Sequence, residues 1–232
     1  MNADAPLAER LAVVDAGIAD AARAAGRDPA ELTRIVVTKF HPASLVRELA
    51  ALGVRDMGEN RHQEAQAKAA ETEDLDLRWH FVGQLQSNKA RAARRYAHAV
   101  HSIDRESLVR ALALEPGASD GVEPLASFLQ IDLSGQPGRG GADPADALRL
   151  AEHVLATPGL RLVGVMGVAP LGAEPRPAFA RLREVSDRIR SLAPDADRIS
   201  AGMSGDYAEA ILEGATHLRI GTAITGKRDE RG

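Results

Sequence analysis

The chain has no cysteine among its 232 residues. Disulfides, thiolate nucleophiles and cysteine-based zinc sites are therefore excluded, and a reducing compartment fits that absence. Aromatic residues are scarce as well, with one Trp, two Tyr and four Phe. The core must then rest on Ala, Val, Leu and Ile, which suits helices packed on a parallel sheet better than an aromatic-rich β-sandwich. No apolar run approaches the ~18 residues that suggest a membrane span. Residues 1–9 are polar and acidic, without a basic segment leading into an apolar one. Positive charge is not in excess either: the net charge is −4, which offers no basic face to nucleic acid. The expectation is a cytoplasmic protein that engages neither nucleic acid nor membrane.

What is present is a rhythm. Residues 5–25 carry Leu7, Leu11, Val14 and Ile18 at helical spacing, and Gly26 and Pro29 end that helix. Short β-rich runs then alternate with helical ones. Strands are predicted at 34–39, 56–58, 77–82, 97–102, 125–133, 160–168, 198–200 and 217–220. Helices are predicted between them at 43–52, 59–70, 87–96, 105–115, 144–156, 177–192 and 206–213. Eight β/α units in about 200 residues imply parallel strands with right-handed crossovers. They sit at the lower end of the range for a (β/α)8 TIM barrel. The expected fold is therefore α/β, a single barrel domain over 1–232 with one extra N-terminal helix. A doubly wound open sheet is the alternative, but no GxGxxG follows the first strand. The Gly-rich stretch 134–141 lacks the GK[ST] ending of a P-loop and reads as a loop. The basic cluster Lys89, Arg91, Arg94 and Arg95 reads as a solvated helix face.

In such barrels reactive groups sit at the C-terminal ends of strands. The first predicted strand ends in Lys39, and alternation puts Ile35, Val37 and Lys39 on one side. A lysine in apolar surroundings gives up its proton more readily, and a neutral amine can form a Schiff base with a carbonyl. By itself a strand-end lysine more often snorkels to solvent. The loops after the seventh and eighth strands add context. They run through Gly202, Met203, Ser204, Gly205 and Asp206, and through Arg219, Ile220, Gly221 and Thr222. Small residues, hydroxyls and one guanidinium in those two loops suit a phosphate dianion. Together they suggest a phosphorylated aldehyde or ketone. Glu59 and Asn60, at the second strand's end, are either site residues or a helix N-cap. His80 reads as a hydrogen-bonded core histidine, and His98 and His101 should face opposite sides of one strand. The histidines show no metal-ligand spacing.

The segments VTKFHP (37–42), MGENRHQE (57–64), WHFVGQLQSNK (79–89), HSIDR (101–105), GVMGV (164–168), GMSGD (202–206) and RIGTAITG (219–226) occur in order. In these the chain resembles the pyridoxal phosphate homeostasis family over nearly its whole length. The resemblance implies the barrel of the alanine racemase N-terminal domain, pyridoxal 5'-phosphate as cofactor and Lys39 as the Schiff-base lysine. It implies that Ser204, Arg219, Gly221 and Thr222 hold the phosphate, that Met203 contributes backbone, and that Asn60 lies beside the cofactor. Arg61 and Thr225 depart from the residues common at their positions, Tyr and Phe. Arg139, Gly140 and Gly141 stand where many relatives have a lysine.

The function so implied is carriage and buffering of pyridoxal phosphate, without robust catalysis and with transient contact to apo-enzymes that use the cofactor. The enzyme alternative is amino-acid racemisation. It needs a second base opposite the lysine, and the two tyrosines, Tyr96 and Tyr207, sit in no motif suited to that role. A cofactor-free Schiff-base aldolase is a third class, which would show no visible chromophore.

Overall fold

A computed structural model of the chain describes residues 5–114, 123–135 and 140–226. Eight strands close into an all-parallel barrel in sequence order. They are β1 (Thr33–Val37), β2 (Asp56–Glu59), β3 (Arg78–Phe81), β4 (Ala97–Ile103), β5 (Leu125–Gln130), β6 (Leu160–Met166), β7 (Arg198–Ser200) and β8 (His217–Ile220). The helices around them are α1 (Leu7–Ala24), α2 (Ala43–Ala51), α3 (His62–Glu71), α4 (Ala90–Ala93), α5 (Glu106–Leu112), α6 (Ala147–Leu155), α7 (Pro175–Leu192), α8 (Tyr207–Leu212) and α9 (Thr222–Thr225). The alternation therefore codes for the barrel expected from it. Closure comes from β1 pairing with β8, Thr33 opposite His217 through Val36 opposite Ile220.

The local reasons are ordinary ones. Ile35, Val36 and Val37 are β-branched and buried, as befits a strand covered on both faces. In α1 the buried stripe is Leu11, Val14, Ile18 and Ala22, at spacings of three and four. Most of the core lies between barrel and helices. Inside the barrel the apolar cluster is small: Ala99, Ala126, Phe128, Val163 and Met166. Strands β6 and β7 approach so closely that a Cβ on Gly164, at φ +151°, would lie 1.7 Å from the Arg198 carbonyl oxygen. Only glycine fits there.

Several expectations need correction. β1 ends at Val37, so Lys39 lies in the turn beyond it. Helix α3 begins at His62, and its N-cap position is Arg61, with no side-chain cap bond. Glu59 is a strand residue, and neither it nor Asn60 caps the helix. The helix expected over 87–96 is a 3-10 turn (Ser87–Lys89) followed by one α turn. Arg94 is not part of a solvated face: it donates to the carbonyls of Leu112 and Gly159 at 2.9 and 2.7 Å. The short α9 has no periodicity to betray it. It is held by α1, where Arg10 Nε donates to the Ile224 carbonyl at 2.7 Å. Among the described residues no helix is long and apolar enough to cross a membrane.

Candidate functional site

At the C-terminal mouth of the barrel a cavity of about 280 Å³ is lined by Val37, Lys39, Asn60, Val82, Val168, Met203, Ser204, Gly205, Arg219, Gly221 and Thr222. All seven residues singled out from the sequence, Lys39, Asn60, Met203, Ser204, Arg219, Gly221 and Thr222, meet around this one space. Parallel topology is the cause: every strand delivers its C-terminal end to the same face. Arg139 lies outside the described residues.

Lys39 is exposed rather than enclosed by apolar side chains. Apolar burial therefore does not account for its reactivity. What the fold supplies instead is placement: Lys39, in the turn beyond β1, lines the same cavity as Val37 at the strand's end. Phe40 follows in the left-handed region at φ 69°, which bulky residues seldom adopt.

The two loops expected to hold an anion are bound to each other, since the Ala223 N–H donates to Ser204 Oγ at 3.4 Å. Gly202, at φ +89°, lets the first loop turn tightly over α8: a Cβ there would lie 2.8 Å from that of Ala210. The Met203 N–H is committed to Asp206 Oδ1 at 2.6 Å, so it is not what Met203 offers the cavity. Asn60 Oδ1 is buried without a hydrogen-bond partner on the cavity wall. An acceptor left so is expected where a ligand group completes the bond.

Arg219 is buried deeper than a loop residue would be. Its Nη1 donates to Ser200 Oγ at 2.8 Å and its Nη2 to the Gly167 carbonyl at 2.9 Å. Below it a chain of polar contacts runs down the barrel interior. Ser200 Oγ meets His101 Nδ1 at 2.8 Å, and His101 Nε2 meets His80 Nδ1 at 3.0 Å. His80 Nε2 meets Asp56 Oδ1 at 2.9 Å, and Arg78 pairs with the same carboxylate at 2.6 and 2.8 Å. Asp56 can only accept, so His80 presents Nε2–H to it and takes the Nε2–H of His101 at Nδ1. That leaves His101 Nδ1 to accept from the Ser200 hydroxyl. Burial pushes His101 well below the usual histidine value, with His80, His217 and Arg219 adding like charge. Burial likewise takes His217 down to about 3 and Arg219 down to about 10. Desolvation of Asp56 is outweighed by His80 and Arg78, which together hold its carboxyl far below the ordinary range.

Sequence reasoning placed His80 in the core but did not join it to His101, Ser200 and Arg219. His98 is exposed and His101 buried, yet both rings pack on His80, with centroids 5.6 and 5.2 Å away. Nor did the sequence single out Lys68, which is buried against Glu59 Oε1 at 2.5 Å. Neither tyrosine lines the mouth cavity: Tyr96 stacks on His62, and Tyr207 packs against Gly17.

Residues 18–229 match the family model for the alanine racemase N-terminal domain. A protein of Pseudomonas aeruginosa named pyridoxal phosphate homeostasis protein is 46% identical over 226 residues, covering 96% of each chain. One of the same name from Mycobacterium tuberculosis is 40% identical, over 97% of this chain and 94% of its own. Among solved structures, PipY of Synechococcus elongatus, with PLP bound, is 37% identical at a TM-score of 0.79. That match covers 95% of this chain and 100% of PipY. Alanine racemase of Corynebacterium glutamicum shares the fold at a TM-score of 0.69 and 15% identity, over 94% of this chain and 62% of the enzyme.

Proposed function

This chain belongs to the family of pyridoxal phosphate homeostasis proteins, within the wider family of alanine racemase N-terminal domains, and we propose that it carries and buffers pyridoxal phosphate at the mouth cavity. The observation that carries this reading is the convergence of Lys39 with the two donor loops around one space of about 280 Å³. The unpaired Asn60 Oδ1 and the hydroxyls of Ser204 and Thr222 fit such a cofactor.

When bound, the cofactor supplies an aldehyde that condenses with a primary amine. Lys39 is the amine at the cavity. Ser204, Gly205, Gly221 and Thr222, which line the cavity from both loops, would hold the phosphate through hydroxyl and N–H donors. Arg219 adds positive charge at the cavity floor, held in place by Ser200 and Gly167. Asn60, whose Oδ1 is buried without a partner, would accept a hydrogen bond from the cofactor. Pyridoxal without phosphate should bind at least ~10-fold more weakly, because hydrogen bonds to a charged group contribute ~1.5–3 kcal/mol each. Ser204→Ala and Thr222→Val should each weaken binding of the phosphorylated form, measured by equilibrium titration. Equal affinity for the two vitamers would overturn the phosphate assignment.

What surrounds Lys39 supports a carrier over a racemase. An exposed lysine in an open mouth can exchange its aldehyde with other amines, whereas an enzyme gains by excluding water and by placing a second base across the substrate. Neither tyrosine of the chain lines the cavity to serve as that base. A cytoplasmic location and brief contact with apo-enzymes belong to the same reading. The test mixes loaded protein with an apo-enzyme that needs the cofactor and follows recovered activity. A parallel tube follows D-alanine formed from L-alanine. Transfer with negligible racemisation is expected, and steady racemisation near the ~10 s⁻¹ typical of enzymes would reassign the class.

A further inference from the structure

The turn that bears Lys39 is gripped from both sides by side chains that have no place on the cavity wall. Thr38 precedes the lysine and is fully buried. Its N–H donates to the Gly58 carbonyl at 2.9 Å, and its hydroxyl donates to Glu59 Oε1 at 2.9 Å. Lys68 Nζ donates to the Thr38 carbonyl at 2.8 Å and to the same Glu59 oxygen at 2.5 Å. On the other side of the lysine, the Phe40 N–H donates to Glu64 Oε2 at 3.0 Å. Glu64 is also 4.0 Å from Lys68 Nζ. The Phe40 ring is near two cations, with its centroid 5.9 Å from Lys39 Nζ and 4.9 Å from the Arg61 guanidinium.

Glu59 and Lys68 are 0% and 6% exposed, so this is an ion pair taken out of water. Such pairs give little stability that apolar residues of the same volume would not give, because desolvation consumes the Coulombic gain. What an apolar pair cannot supply is direction. Here the bonds run to the hydroxyl and the carbonyl of the residue beside Lys39. Together with Glu64 they hold a turn whose next residue sits at φ 69°, a backbone state that persists only where its surroundings impose it. A lysine side chain is long and flexible, so only a fixed Cα can present its amine reproducibly to the cavity.

The geometry points to Glu59 and Lys68, with Glu64, as positioning residues for Lys39: a buried charge clamp from β2 and α3 on the turn that carries the reactive amine. The inference rests on the reading that Lys39 receives the aldehyde of pyridoxal phosphate. It predicts that the clamp matters to covalent capture and not to recognition of ring and phosphate.

The experiment compares two ligands on each protein. Pyridoxal phosphate needs the lysine. Pyridoxine phosphate has the same ring and phosphate with an alcohol in place of the aldehyde, so it does not. In Glu59→Gln/Lys68→Met, affinity for pyridoxal phosphate and the rate at which the visible band appears should each fall at least ~10-fold, as expected for lost hydrogen bonds to charged groups. Glu59 Oε2 also accepts from the Asn60 N–H at 3.3 Å, and the glutamine amide oxygen can still accept that bond. Affinity for pyridoxine phosphate should therefore stay within about twofold, and Lys68→Arg, which can still donate to both oxygens, should recover much of the loss. Should the double variant not fold, Glu64→Gln, at a partly exposed side chain, should show the same split more weakly. A parallel fall for both ligands, or no change for either, overturns the clamp. Wild-type protein that takes up pyridoxine phosphate but not pyridoxal phosphate overturns both the clamp and the role of Lys39. Wild-type protein that binds neither overturns the cofactor assignment itself, and the clamp with it.

Discussion

Loaded protein should be yellow, and the substitution Lys39→Ala should leave it colourless. The chain has four lysines, Lys39, Lys68, Lys89 and Lys227. Among the three described, only Lys39 lines the mouth cavity. Lys68 is buried, with its amine committed to Glu59 and to the Thr38 carbonyl. Lys89 lines an adjoining depression beside His62 and Gln86, which shares Asn60 with the mouth cavity but not Ser204 or Thr222. An amine must reach the aldehyde while the two donor loops hold the phosphate, and Lys39 alone of these three shares a cavity with Ser204 and Thr222. Borohydride reduction of the loaded protein followed by peptide mass mapping should therefore find the adduct on Lys39. The visible band should vanish in Lys39→Ala, while weak binding through the phosphate remains. An adduct on Lys68, Lys89 or Lys227 with Lys39 unmodified would show that the wrong amine has been assigned.

The second large effect concerns acid and needs no ligand. His101 and His217 are buried bases held neutral, His217 down to about 3 and His101 well below its usual value. Unfolded, each titrates near 6.5. Between the two values the unfolded chain binds more protons than the folded one, so stability rises with pH through that window and is lost as pH falls below about 6.5. Each such group contributes a slope of about 1.4 kcal/mol per pH unit until its folded value is reached. Asp56 acts lower down. Its folded value is depressed, so its contribution is present above about 3.8 and disappears in stronger acid. Over two pH units His217 alone loses about 3 kcal/mol, and His101 adds a loss in the same direction, against the ~5–15 kcal/mol that holds a typical domain together. Urea midpoints measured from pH 8 to pH 4 should fall steeply, and His217→Gln should flatten the profile by close to one proton. A slope that is the same in the variant would refute the assignment to that histidine.

The parts of the site that were legible beforehand share a property: each is carried by residues near in sequence. Lys39 at a strand end, Ser204 in GMSGD and Gly221 with Thr222 in RIGTAITG are local patterns. Parallel topology guarantees that such strand ends meet. From the residues alone Asn60 had two readings, site residue or N-cap, and the family resemblance put it beside the cofactor. Helix α3 starts at His62 with Arg61 at its N-cap position, so Asn60 does not cap it. Glu59 was undecided in the same way, and its partner Lys68 had no sequence signal at all. A lysine in HQEAQAKAAE looks like any solvent-facing helix residue until the helix is laid against β2.

The sequence by itself determined the number and order of the β/α units and hence the closed parallel barrel. Apolar periodicity of two or of 3.6 residues is a local property that each segment carries wherever it lies. It determined likewise which strand ends would face one another across the mouth. Tertiary structure alone decided how each side chain is surrounded. Lys39 is exposed where strand alternation suggested an apolar enclosure. Arg219 reaches down to Ser200 and Gly167, and His80 and His101, 21 residues apart, share a hydrogen bond in the barrel interior. The physical reason is that burial and hydrogen-bond partnership belong to pairs of segments, not to one. They depend on the register of neighbouring strands and the seating of each helix, and no spacing within a single segment encodes them.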